Sequence, residues 1–122
     1  METSAKIVLV VDDDDDLSSL VAVVLEDEGY QVEVAANGVE ALDIVRRRLP
    51  DLILLDMKMP VMGGAEFAKE FHDRFDHGSP IVILTASADG SARANEVGAI
   101  DWVAKPFDLD DLVLAVERNL RR

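Results

Sequence analysis

The chain predicts an α/β fold: (βα)5, five strands in one parallel sheet with helices on both faces. Three observations carry that expectation. Short apolar runs of strand length recur along the chain. Between them lie segments whose apolar residues follow helical spacing. Most of these runs stop at a charge or a hydroxyl, and open parallel sheets bind ligands at the carboxyl ends of their strands. Strands alternating with amphipathic helices imply a doubly wound layered architecture, joined by right-handed crossovers.

Residues 6–11 form a continuous apolar run, as expected of a strand covered on both faces. Leu17, Leu20, Val21, Val24 and Leu25 then follow the spacing of one helix face, and Gly29 ends that helix. Residues 31–35 alternate and read as a second, more exposed strand. Asn37 and Glu40 have the spacing of a capped helix start; Ala41, Leu42, Val45 and Leu49 carry its apolar stripe, and Pro50 closes it. Residues 52–55 are the third strand. Pro60, Gly63 and Gly64 mark a loop, after which Phe67, Ala68, Phe71 and Phe75 give a third helix. Residues 76–80 are a turn and 81–84 the fourth strand. Residues 88–97 form a weaker helix resting on Ala92, Val97 and Ala88, capped by Gly98. Residues 100–104 are the fifth strand. Leu109, Leu112, Val113, Val116 and Leu120 form the last helical face, with Asp108 placed as its N-cap.

A chain of 122 residues predicts one domain over 1–122, with its core at about 6–120. Hydrophobic residues make up 49%, enough to bury a core rather than remain disordered. The apolar runs are far shorter than the ~20 residues of a membrane helix, and residues 1–6 lack the pattern of a signal peptide. With no cysteine, disulfides, thiol catalysis and cysteine-ligated metals are excluded; a cytoplasmic location is the expectation. The net charge of −13 argues against direct nucleic-acid contact by this domain. Five consecutive acids, residues 12–16, follow the first strand. A like-charge run is usually a solvated face, but one packed behind a buried strand calls for a cation. For Asp14, Asp15 and Asp16 the plain reading holds: they are charges at a helix start, where the dipole favours them.

The four strand-end motifs are Asp12-Asp13-Asp14 after Val11, Leu55 through Pro60 around Asp56, Leu84-Thr85-Ala86, and Lys105-Pro106-Phe107. In this order and spacing the chain resembles the response-regulator receiver domains of two-component signalling, from about Lys6 to Leu120. The resemblance implies a flavodoxin-like sheet of order 2-1-3-4-5 and a role for each matching residue. Asp56 corresponds to the phosphoacceptor, an ionised and exposed carboxylate that becomes an acyl phosphate. Asp12 and Asp13 correspond to a Mg²⁺-binding pair, with Asp13 the direct ligand, Asp56 beside them and the Lys58 backbone carbonyl adding a ligand. Lys105 corresponds to the cation that pairs with Asp56 and later with its phosphoryl group, and its bond to Pro106 is cis in the family. Thr85 corresponds to the switch hydroxyl. Trp102 falls at the aromatic switch position, where Tyr or Phe is commoner; its plain alternative is packing on the fourth helix. Gly63 replaces a frequent Asp, and Lys58 and Ser87 occupy positions that tune acyl-phosphate lifetime. His72 and His77 read as solvated surface residues.

The implied function is a phosphoacceptor switch. A histidine kinase or histidine phosphotransfer protein donates to Asp56. The face of the fourth helix, fifth strand and fifth helix then passes the signal to an output domain or effector, or to a homodimer in which Asp101 and Arg118 meet. Three other readings compete. An aspartate-nucleophile phosphohydrolase would need a second acid where Lys58 stands. A calcium loop starting at Asp12 would need Gly and Glu where Leu17 and Val23 stand. A phosphorylation-independent partner-binding module is the alternative that an intact Asp12, Asp13, Asp56, Thr85 and Lys105 disfavours. Dinucleotide and Walker-type motifs are missing.

Overall fold

A computed structural model of the chain describes residues 5–120 except 60, 77 and 87. The order of elements is β1 (Ile7–Val11), α1 (Asp15–Asp27), β2 (Gln31–Ala35), α2 (Gly38–Arg47), β3 (Leu52–Asp56), α3 (Gly64–Phe75), β4 (Ile81–Thr85), α4 (Gly90–Val97), β5 (Asp101–Ala104) and α5 (Leu109–Leu120). The five strands form one sheet in the order β2-β1-β3-β4-β5, and all four pairings are parallel.

Alternation along the strands divides the core in two. Leu9, Val11, Ile53, Leu55, Ile81 and Ile83 point to one face, where α2, α3 and α4 cover them with Leu42, Val45, Phe67, Phe71 and Val97. Val8, Val10, Leu52, Leu54, Val82 and Leu84 point to the other, under Val21 and Leu25 of α1 and Leu112 and Val116 of α5. β1, β3 and β4 are buried throughout, while β2 at the sheet edge is half exposed. Burying a Leu or Phe side chain of this kind contributes roughly 1.5–3 kcal/mol.

Local chemistry sets where the helices start and stop. Asp14 caps α1 by accepting from the Leu17 amide at 3.0 Å. Asn37 caps α2 by accepting from the Glu40 amide at 3.0 Å, and the Glu40 carboxylate reaches back to the Ala36 amide at 2.8 Å. Asp89 caps α4 through the Ala92 amide at 3.1 Å. Gly98 ends α4 with φ at 72°, a conformation glycine adopts without a Cβ penalty.

Several expectations shift. Leu20 is 49% exposed; Ser18 takes the inward position instead, its hydroxyl donating to the Asp12 carbonyl at 3.3 Å. α2 ends at Arg47, with Arg48 already extended, so Leu49 lies beyond the helix and is exposed. This fits the bias of a residue preceding proline away from helical backbone. α4 buries Gly90, Ala94 and Val97 and leaves Ala88 and Ala92 exposed, because its start at Gly90 turns Ala92 outward. β5 begins at Asp101 rather than residue 100. Asp108 stands immediately before α5, and its backbone carbonyl accepts from the Asp111 and Leu112 amides. His72 is half buried: Nε2 lies 3.2 Å from the Val97 carbonyl and the ring edge meets Phe71, so it joins α3 to the end of α4. His77, Ser87 and Pro60 lie outside the described residues. No helix among the described residues is long and apolar enough to cross a membrane.

Candidate functional site

The parallel register brings the carboxyl ends of β1, β3, β4 and β5 to one edge. Val11 stands beside Leu55, Asp56 beside Leu84 and Thr85 beside Ala104. Asp12, Asp56, Thr85 and Lys105 therefore arrive together from segments more than ninety residues apart. Asp12 and Asp56 are nearly inaccessible, at 2% and 3%, and Thr85 is buried at 5%. Asp56 thus sits on the floor of a recess rather than exposed as expected. That recess, of about 310 Å³, is lined by Asp56, Met57, Lys58, Leu84, Thr85, Ala86, Arg93 and Lys105.

The Lys105 ammonium donates to Asp56 Oδ1 at 3.0 Å and lies 3.8 Å from Asp12 Oδ2. The Lys58 backbone amide faces the same Asp56 Oδ1 at 3.3 Å. The Lys105–Pro106 peptide is cis, and the Lys105 amide donates to the Thr85 carbonyl at 2.9 Å. Asp12 Oδ1 accepts from the Asp14 amide at 2.9 Å, whereas Asp12 Oδ2 is buried without a hydrogen-bond partner. Burial pushes the Asp12 carboxyl above its ordinary range; the Asp14 amide and Lys105 pull it back, and the neighbouring Asp56 and Asp13 charges push it further up.

One carboxylate oxygen from each of Asp12, Asp13 and Asp56 lies within 4.8 Å of the others. A set of hard oxygens with one buried oxygen left unpaired fits a divalent cation such as Mg²⁺, and leaving such an oxygen unpaired is costly. The residues present fit that ion. An ionised Asp56 held between this cluster and Lys105 can act as an oxygen nucleophile toward phosphorus.

Trp102 lies outside the recess, 39% exposed, with its ring against Gly90 at the start of α4. Its flank is fixed by Asp101, which accepts from Arg118 Nε at 2.7 Å and Asn119 Nδ2 at 2.8 Å. Asp101 and Arg118, expected to meet across a dimer, pair within the chain. Burial alone would raise the Asp101 carboxyl, but donation from Arg118, Asn119 and the Trp102 amide holds it below its ordinary value. Sequence reasoning missed Arg93 and Gly90. Arg93 lies eight residues past Thr85 on a weakly patterned helix, and only the packing of α4 brings it to the recess.

The family model described as response regulator receiver domain matches residues 8–117. The chain is 43% identical over 115 residues to the sporulation initiation phosphotransferase F of Bacillus subtilis, covering 93% of this chain and 92% of that protein. It is 41% identical to the DNA-binding response regulator MtrA of Mycobacterium tuberculosis, covering the whole of this chain but 54% of that one. The chain thus spans nearly all of the first relative and about half of the second. Among solved structures, the chemotaxis protein CheY4 of Vibrio cholerae superposes with a TM-score of 0.88 at 37% identity, covering 96% of this chain and all of that one.

Proposed function

This chain belongs to the response regulator receiver domain family, and we propose that it accepts a phosphoryl group on Asp56 from a phosphohistidine donor. The donor is a histidine kinase or a histidine phosphotransfer protein. The observation that carries this reading is the 3.0 Å contact between Lys105 and Asp56 beside the unpaired Asp12 Oδ2. An Asp56 oxygen attacks phosphorus as the P–N bond breaks. The departing imidazole keeps that electron pair, and the product is an acyl phosphate. Lys105, now beside Asp56, follows the charge onto the phosphoryl oxygens. Asp12, Asp13, Asp56 and the Lys58 carbonyl would hold Mg²⁺, which when bound would supply positive charge toward the transferring group.

Thr85, at the end of β4 and lining the recess, is the hydroxyl that answers the phosphoryl group, and Trp102 is the aromatic that responds on the face of α4, β5 and α5. A local charge event biasing a two-state element is the general form of such a switch. The domain is proposed as a single unit over residues 1–122, acting in the cytoplasm on an output domain, an effector or a second copy. The names of its relatives, a phosphotransferase and a DNA-binding regulator, support both passing a phosphoryl group onward and controlling an output.

The test is intact mass after incubation with Mg²⁺ and a small-molecule phosphodonor. The expected result is a gain of one phosphoryl group that requires Mg²⁺ and is absent in Asp56→Asn. No gain, together with no binding of beryllium fluoride, would favour a partner-binding module that does not use phosphate.

A further inference from the structure

We infer that Arg93 of α4 is a second phosphoryl-binding cation, held in reserve by Glu96 until Asp56 is phosphorylated. This rests on the phosphoacceptor reading of Asp56 and goes beyond it. Arg93 lines the same recess as Asp56 and Lys105. Its Nη1 pairs with Glu96 Oε1 at 2.8 Å, one turn along the same helix, with the two side chains 37% and 62% exposed. Exposed pairs of this spacing are weak, so Glu96 is a partner that Arg93 gives up readily.

Charge bookkeeping gives the reason for a second cation. Asp12 and Asp13 together match a divalent ion. A phosphoryl group on Asp56 brings close to two negative charges, and Lys105 offsets one of them. One charge is left over, in a recess whose other nearby cations are Lys58 and Arg93. Lys58 is a strongly hydrated point charge on a loop. A guanidinium offers a planar fork that matches phosphate oxygens two at a time. Rotation of Arg93 from Glu96 to the phosphoryl group ties that group to α4. The helix that seats Trp102 through Gly90 then feels phosphorylation through its own side chain, in parallel with Thr85.

The experiment uses the full chain as wild type, Arg93→Gln, Arg93→Lys and Glu96→Gln. Intact mass after treatment with a small-molecule phosphodonor and Mg²⁺ comes first. Affinity for beryllium fluoride with Mg²⁺ is then read by calorimetry. Arg93→Gln is expected to weaken that affinity about three- to tenfold. Arg93→Lys should fall between it and wild type, and Glu96→Gln should tighten binding by about twofold. In an Arg93→Gln background Glu96→Gln should have no effect. A wild type that gains a phosphoryl group while Arg93→Gln and Arg93→Lys both bind beryllium fluoride as tightly as it does would overturn the role of Arg93 and leave Asp56 standing. A wild type that neither gains mass nor binds beryllium fluoride would overturn the phosphoacceptor reading and this one with it.

Discussion

The ring of Trp102 rests directly on the backbone of Gly90: a Cβ at position 90 would lie 2.6 Å from Cε3 and 2.7 Å from Cδ2 of the indole. The first residue of α4 is therefore a seat for the aromatic residue of β5, and it is open because it carries no side chain.

Gly90→Ala is expected to push the indole off α4. Alanine favours a helix by about 1 kcal/mol over glycine, but the clash with a ring costs about 1–3 kcal/mol, so a net loss of stability follows. Trp102 is the only tryptophan of the chain, which makes its fluorescence a direct readout. The expected result is a red-shifted emission with a lower denaturant midpoint. Emission identical to wild type would show that the ring does not depend on this seat.

Removal of the Lys105 ammonium leaves Asp56 and Asp12 without their nearest positive charge. In the absence of metal, Lys105→Ala should cost about 1–3 kcal/mol of stability, less than a fully buried pair because Lys105 is 28% exposed. Adding Asp56→Asn should restore most of that loss. A double-mutant cycle by urea unfolding measures this coupling, and additive effects would contradict it.

Asp12→Asn removes a charge whose burial is unfavourable in the metal-free chain. Its melting temperature without metal should rise by about 3–6 °C, while Mg²⁺ affinity falls at least about tenfold. Calorimetric melting with and without Mg²⁺ tests both halves. A variant less stable than wild type in chelator would mean that the cost of the buried Asp12 charge has been misjudged.

Asp101 gives a pH signature. Its carboxyl is held below the ordinary value, so the folded chain binds its proton less tightly than the unfolded chain. The resulting stability is present above about pH 4 and is lost as pH falls through the depressed folded value. Because the Arg118 side chain is more than half exposed, Asp101→Asn should cost only about 0.5–1 kcal/mol at pH 7. The difference from wild type should shrink as pH falls below about 4 and through the depressed folded value. A difference unchanged between pH 7 and pH 2.5 in urea unfolding would rule out the ion pair as its source.

Much of the fold was legible because each element carries its own local signal. The buried runs of β1, β3 and β4 are apolar without break, as strands covered on both sides require. Asn37 with Glu40, and the glycines at 29 and 98, punctuate the helices through backbone chemistry that acts within a few residues. Errors fell where a local pattern was ambiguous about facing. Leu20 fits the helical spacing of α1 as well as Leu17 does, yet the Ser18 hydroxyl contact with the Asp12 carbonyl accompanies a face turned toward Ser18. Ala92 could not be told from Ala94 until Asp89 set the start of α4.

Local patterns in the chain are enough for the five βα units, the parallel sheet they imply, and the polar residues at strand ends. These follow from periodicity and from short-range caps, both of which are properties of neighbouring residues. The resemblance grouped Asp12, Asp13, Asp56, Thr85 and Lys105 at one site; the fold set their burial, their distances and their further neighbours. It buried Asp12 with one oxygen unpaired, set Lys105 3.0 Å from Asp56, turned Arg118 onto Asp101 within the chain and brought Arg93 to the recess. Those contacts join segments distant in sequence. Their distances depend on strand register and helix packing, which no local pattern encodes.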